Sequence, residues 1–157
     1  MRIDLTLNGD PVTLDAEPHE FLTEVIRDAG LIGTKRGCES GDCGACSVIM
    51  DGLEVPSCMV LAVQASGHSI TTIEGIGTFR NPHPIQQAFV DCTAVQCGYC
   101  TPGMVVATKA CADAKGCGLT ADEARELLAG HVCRCTGYTK PIKAVVSATA
   151  ACAGGSK

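Results

Sequence analysis

Apolar and polar residues alternate with the period of a strand from Arg2 to Leu7, Asn8-Gly9-Asp10 supplies a turn, and Val12 to Leu14 returns as the second arm of a hairpin. Phe21, Leu22, Val25 and Ile26 then recur at helical spacing in a segment that ends near Gly30. A glycine-rich stretch, GTKRGCESGDCGACS, leads into Val48, Ile49 and Met50, a second turn at Asp51-Gly52, a short strand toward Cys58 and a last strand at Ser69 to Ile73. The first half therefore predicts a small twisted sheet packed on one helix, with the cysteine loop at its edge.

The pattern changes after TIEGIGTFRNPHP, whose glycines, Asn-Pro pair and further prolines end regular structure and suit a linker. Beyond it, Ile85 to Val90, Val105 to Ala114, Ala121 to Ala129 and Ile142 to Ala150 read as four helices. Thr120 with Glu123 forms a capping-box signature, and Pro102 and Pro141 sit near helix starts. A compact helical bundle follows, and the chain divides into units at 1–76 and 77–157. With no Trp, three Phe and two Tyr, each small core rests on aliphatic side chains, so a bound metal group is expected to staple each half.

Charge narrows the class. The 17 acidic and 12 basic residues are mixed along the chain and give a net charge of −5, which argues against a nucleic-acid partner. The N-terminus has neither the basic nor the apolar region of a secretory signal, and no apolar run is long enough to span a bilayer. A reducing, cytoplasmic setting is expected, in which thiolates are free for metal rather than paired in disulfides.

Eight of the twelve cysteines form two sets. Cys38, Cys43, Cys46 and Cys58 read C-x4-C-x2-C and then a fourth cysteine after eleven residues, the plant-type 2Fe-2S spacing. Gly37, Gly41 and Gly44 are interleaved with them, and glycine permits the close backbone wrapping that brings N–H groups onto anionic sulfurs. Zinc also accepts four thiolates, but its sites usually present two close pairs, unlike this set. The second set, Cys97, Cys100, Cys133 and Cys135, reads C-x2-C, a gap of 32 residues and C-x-C. One intervening residue in an extended chain puts Cys133 and Cys135 on one face. Here spacing alone leaves zinc and an iron-sulfur cluster about even.

The motifs GCESGDCGACSV with Cys58, and VQCGYCTPGM with HVCRCTGYTKPIKAV, resemble the iron-sulfur subunit or region of the molybdenum hydroxylases, the xanthine dehydrogenase and aldehyde oxidoreductase family. The resemblance runs from the first strand to about Ala150. It implies an α+β chain: an N-terminal plant-type ferredoxin-like β-grasp domain, then an all-α four-helix-bundle domain, each with one 2Fe-2S cluster. It implies a separate small subunit that relays electrons between the molybdopterin of a large subunit and the FAD of a medium subunit, in a dimer of heterotrimers. By motif, Gln96 would hydrogen-bond the pterin, and Cys135 would both ligate the inner cluster and approach the pterin. One departure stands out: the residue two before Cys133 is often Asn in the family and is His131 here, which reads as a tolerated loop change.

The remaining features are bland. Cys92 and Cys111 read as buried structural thiols, Cys117 and Cys152 as exposed ones, and AGGSK as a frayed tail. His19, His68 and His83 read as surface residues, and Lys35, Arg36, Arg134, Lys140 and Lys143 as solvated charge near the cysteine motifs. No nucleophile with its base, no carboxylate pair and no phosphate loop marks a substrate site, so substrate conversion is expected in a partner chain. Two rivals remain, a free-standing two-cluster ferredoxin-like carrier and a zinc-stabilised interaction module.

Overall fold

A computed structural model of the 157-residue chain describes residues 1–116 and 118–152, with side chains described through Ala150 apart from Cys117. The expectations for Cys117, for the Cys152 thiol and for the tail at 153–157 lie outside the described residues.

The first half is a hairpin, a helix, a hairpin and a last strand. Strands β1 (Arg2–Leu7) and β2 (Asp10–Asp15) flank a turn in which Asn8 and Gly9 take positive φ angles of 54° and 94°, as a two-residue hairpin turn demands. Helix α1 (Leu22–Asp28) starts where the Glu24 carboxylate accepts the N–H of Phe21 at 2.9 Å. Strands β3 (Ser47–Met50) and β4 (Leu53–Pro56) form the second hairpin, and β5 (Ser69–Thr71) completes a mixed sheet of order β2-β1-β5-β3-β4. Among the described residues only β1 and β5 run parallel, pairing Thr6 with Ser69 and Leu7 with Ile70. Alternation along β1 turns Ile3, Leu5 and Leu7 inward, where they meet Leu22, Val25 and Ile26 of α1 and Val48 of β3.

The segment expected to be a plain linker begins as a helical turn, α2 (Ile73–Ile76), and β5 stops earlier than expected, at Thr71. Ile73 and Ile76, three residues apart, share the face that packs into the helical core, while Asn8 accepts the Thr72 N–H at 2.8 Å. Three further helices match the expected positions: α3 (Pro84–Asp91), α5 (Ala121–Leu127, continued by a 3-10 turn at Leu128–Gly130) and α6 (Thr139–Cys152). The capping box at α5 forms, with Thr120 Oγ1 accepting the Glu123 N–H at 3.3 Å and Glu123 accepting the Thr120 N–H at 2.8 Å. Helix α4 (Thr101–Lys115) starts four residues earlier than expected. Pro102 is accepted in its first turn, where its missing N–H costs nothing, and Gly103 is buried against another part of the chain.

The described residues are thus α+β, with a mixed sheet and six helices. Phe89, Met104, Val105, Val106, Leu128 and Val145 fill the helical core, and Ile49 of β3 joins them while its neighbour Val48 faces the first core. One strand therefore contributes to both cores. No helix is long and apolar enough to cross a membrane among the described residues.

Candidate metal centres

The first cysteine loop is wound by left-handed backbone at Glu39 (φ 57°), Gly41 (84°) and Gly44 (68°). This turns amides toward sulfur: Cys38 Sγ accepts from Ser40 N at 3.4 Å and Asp42 N at 3.3 Å, and Cys43 Sγ accepts from Cys38 N at 3.4 Å. Gly37 leaves room that a side chain would take, since a Cβ there would lie 2.6 Å from Cys43 Sγ. Hydrogen bonding from Ser40 lowers the Cys38 thiol to about 6 and favours the thiolate. Cys46 and Cys58 lie deeper. Burial, then the neighbouring Cys46, pushes Cys58 up to about 11. Ser57 ties these two positions together, its hydroxyl donating to the Cys46 carbonyl at 2.7 Å and sharing a hydrogen bond with Thr23.

The second set gathers from two loops. Cys97 and Cys100 lie between α3 and α4, with Cys100 capping α4, and Cys133 and Cys135 lie between the 3-10 turn and α6. The thiols act on one another in pairs across the loops, Cys97 with Cys135 and Cys100 with Cys133. Burial, then Cys133, pushes Cys100 up to about 12, whereas the Tyr99 backbone and Cys135 lower Cys97. At Cys133 the upward push of burial is outweighed by hydrogen bonds from Thr136 and Cys135. Successive left-handed residues, Gly137 (φ 60°) and Tyr138 (65°), fold the CTGY segment back on itself. The Tyr138 hydroxyl then accepts the Cys133 N–H at 2.8 Å and donates to the His131 carbonyl at 2.9 Å.

These donors suit an anionic cluster: four thiols in each set, amides aimed at sulfur in the first loop, and a helix N-terminus at Cys100 in the second.

The two sets meet at a close seam. Val132, next to Cys133, donates its N–H to the Cys43 carbonyl at 3.0 Å, and the Tyr99 hydroxyl donates to the Arg36 carbonyl. Gly103 of α4 abuts Gly44 so tightly that a Cβ at Gly103 would lie 2.2 Å from the Gly44 oxygen. Cys38, Cys97 and Cys135 are exposed, as is Gln96. Exposed Val95, Tyr99 and Val132 surround the second set, and Phe21 and Met59 flank the first near Cys58.

The bland sites divide. Cys92 and Cys111 are half-buried against the helical core rather than fully buried. His19 is exposed, whereas His83 caps α3 by accepting the Ile85 N–H at 3.2 Å and His68 pairs with Asp51. Arg36 pairs with Glu39 and Glu24, and Arg134, Lys140 and Lys143 are exposed. His131, read as a tolerated loop change, is buried and paired with Glu54. Its partner and the double role of Tyr138 could not be read from spacing, although the departure from Asn at residue 131 was the one visible signal.

Comparison with known proteins covers both halves. Residues 5–69 match the 2Fe-2S iron-sulfur cluster binding domain, and residues 72–146 match the [2Fe-2S] binding domain. The chain is 43% identical to the 6-hydroxypseudooxynicotine dehydrogenase complex subunit beta of Paenarthrobacter nicotinovorans, covering 94% of this chain and 92% of that one. It is 44% identical to the xanthine dehydrogenase iron-sulfur-binding subunit of Escherichia coli O157:H7, over 92% of this chain and 91% of that one. Among solved structures, quinoline 2-oxidoreductase from Pseudomonas putida 86 superposes with a TM-score of 0.91 at 41% identity, covering 99% of this chain and 97% of the matched one.

Proposed function

We propose, on the premise that this chain belongs to the iron-sulfur subunits of the molybdenum hydroxylase family, that it carries two 2Fe-2S clusters and passes electrons between a molybdopterin centre and a flavin held by partner subunits. Cys38, Cys43, Cys46 and Cys58 ligate the first cluster, and Cys97, Cys100, Cys133 and Cys135 the second. The observation that carries the reading is the hydrogen bond from Val132 to Cys43, which links a residue beside one thiol set to a residue within the other. When bound, each cluster supplies one-electron redox chemistry.

The chain's own residues hold and orient these groups. Amides of Cys38, Ser40 and Asp42 stabilise thiolate charge in the first loop, and Tyr138 holds the backbone at Cys133. Gln96 and Cys135, exposed at the second set, face the pterin of the large subunit, Gln96 as a hydrogen-bonding group and Cys135 as both ligand and nearest contact. The exposed apolar residues Val95, Tyr99 and Val132 beside them suit burial against that subunit. The FAD-bearing medium subunit covers the first set, near Phe21 and Met59, in a cytoplasmic dimer of heterotrimers.

The finer architecture accompanies this reading. Parallel pairing of β1 and β5 with α1 packed on the sheet supports a ferredoxin-like β-grasp unit at 1–76, and α3 to α6 support a four-helix bundle at 77–157.

Anaerobic reduction followed by EPR, with iron, zinc and sulfide counted on the same sample, tests the proposal. Two distinct 2Fe-2S signals with about four iron and four sulfide per chain are expected from two four-thiolate sites. One signal accompanied by zinc overturns the reading of the second half. A loaded protein that purifies without any molybdopterin subunit turns the relay into a free-standing carrier.

A further inference from the structure

His131 occupies the seam between the two cysteine sets. Its side chain is 4% exposed, and Nε2 lies 3.0 Å from Oε1 of Glu54 on β4, an oxygen that also accepts the Ser47 hydroxyl at 2.7 Å. Glu54 belongs to the sheet that follows the first cysteine loop, and His131 to the loop that carries Cys133. The pair therefore bridges the units that hold the two sets. The other ring nitrogen, Nδ1, is buried without a partner and lies over the two glycines at the closest approach of the backbones: a Cβ on Gly44 would be 2.4 Å from it and one on Gly103 3.3 Å.

This placement accounts for an imidazole where the family often has Asn. The amide nitrogen of Asn occupies the place of Nδ1 and stops short of the position of Nε2, so it would not reach Glu54 as the ring does. Val132, the next residue, makes the hydrogen bond to Cys43, so whatever holds His131 also holds that bond in register. The pair resists separation mainly on the imidazole side: the buried His131 ring, with Nδ1 already without a partner, would lose its partner at Nε2 as well, whereas the half-buried Glu54 keeps the Ser47 hydroxyl.

We propose that His131 and Glu54 form a latch between the two units that sets the distance and orientation of the two cluster sites, making both of them positioning residues for electron transfer from one cluster to the other. The proposal rests on the reading that each cysteine set holds a 2Fe-2S cluster. Neither residue is a ligand, and the latch acts through geometry alone.

The full-length protein loaded with both clusters provides the test. Magnetic coupling between two reduced clusters splits or broadens their EPR signals and falls steeply with separation. Glu54→Ala, which removes no thiol, is expected to lose or shift that splitting while both signals keep full spin intensity. His131→Gln, whose terminal amide can donate from near the Nε2 position, is expected to keep it. Hydrogen exchange over residues 130–134 provides a second readout that does not require reduced clusters. It should accelerate by about tenfold in Glu54→Ala while protection in the sheet and helical core stays constant. Unchanged splitting and exchange in Glu54→Ala overturn the latch, and so does a loss of protection spread over the whole chain, which marks general destabilisation. A wild-type sample with only one 2Fe-2S signal instead overturns the two-cluster reading beneath it.

Discussion

The backbone N–H of Val132 donates to the carbonyl oxygen of Cys43 at 3.0 Å, joining the two cysteine loops by one hydrogen bond between main-chain atoms. Because Val132 adjoins Cys133, a route of covalent bonds and this single hydrogen bond runs from a thiol of the first set to a thiol of the second. The bond depends on the backbones staying close, and the glycines of the seam permit that closeness.

Gly103→Ala tests this closeness. Its Cβ would lie 2.2 Å from the Gly44 oxygen, so α4 or the first cysteine loop must move. Overpacking of this kind costs about 1–3 kcal/mol. Denaturant unfolding of the loaded protein should show that loss, with faster hydrogen exchange at Val132. Unchanged stability would mean that the seam yields freely.

Tyr138→Phe removes one hydroxyl that serves two backbone groups. The Cys133 N–H and the His131 carbonyl both lose their partner, and an unpaired buried polar group costs about 1–3 kcal/mol. The melting temperature should fall and the EPR signal of the second cluster should change shape, with the first signal unaltered. A change confined to the first signal would contradict the placement of Tyr138.

Substitution of single thiols should separate the two centres. Cys46→Ala, in the buried part of the first set, is expected to abolish one 2Fe-2S signal and to halve the iron content, and Cys133→Ala the other. Loss of both signals from either variant would show that the halves do not load independently. Removing the iron and sulfide altogether should lower helical and sheet content, because small cores stapled by metal fold together with their ligands.

Asp51 gives a pH test away from both sets. Hydrogen bonds from His68 and from the Ser69 N–H hold its carboxyl below the ordinary aspartate range. A carboxylate with a depressed folded pKa stabilises the fold above its unfolded pKa and loses that contribution as pH falls through the folded value. The stability gap between wild type and Asp51→Asn should therefore close as pH drops below about 4. A gap that widened on acidification would reverse the sign.

Several features were legible in the amino-acid sequence because they depend on neighbours along the chain. Strand alternation at Ile3, Leu5 and Leu7, the Asn8-Gly9 turn and the capping box of Thr120 and Glu123 follow from local sterics and hydrogen bonding, and each is present. The two thiol sets stood out in the sequence for a related reason, since cysteine spacing and interleaved glycines are features of neighbouring positions along the chain. The resemblance to the molybdenum hydroxylases rested on those same short motifs, which is why it reached the family and said little about the space between the loops.

Only tertiary structure decided that space. Ile49 and Val48 point to opposite faces of β3 and so enter different cores, which draws the sheet and the helices together at one strand. That packing turned the start of the expected linker into a helical turn, with Ile76 buried, and it brought Gly103 against Gly44. It also paired His131 with Glu54, residues from opposite halves of the chain whose periodicities and spacings carry no trace of each other. The individual loops could be recognised from local chemistry, whereas their relative placement required both cores to be closed.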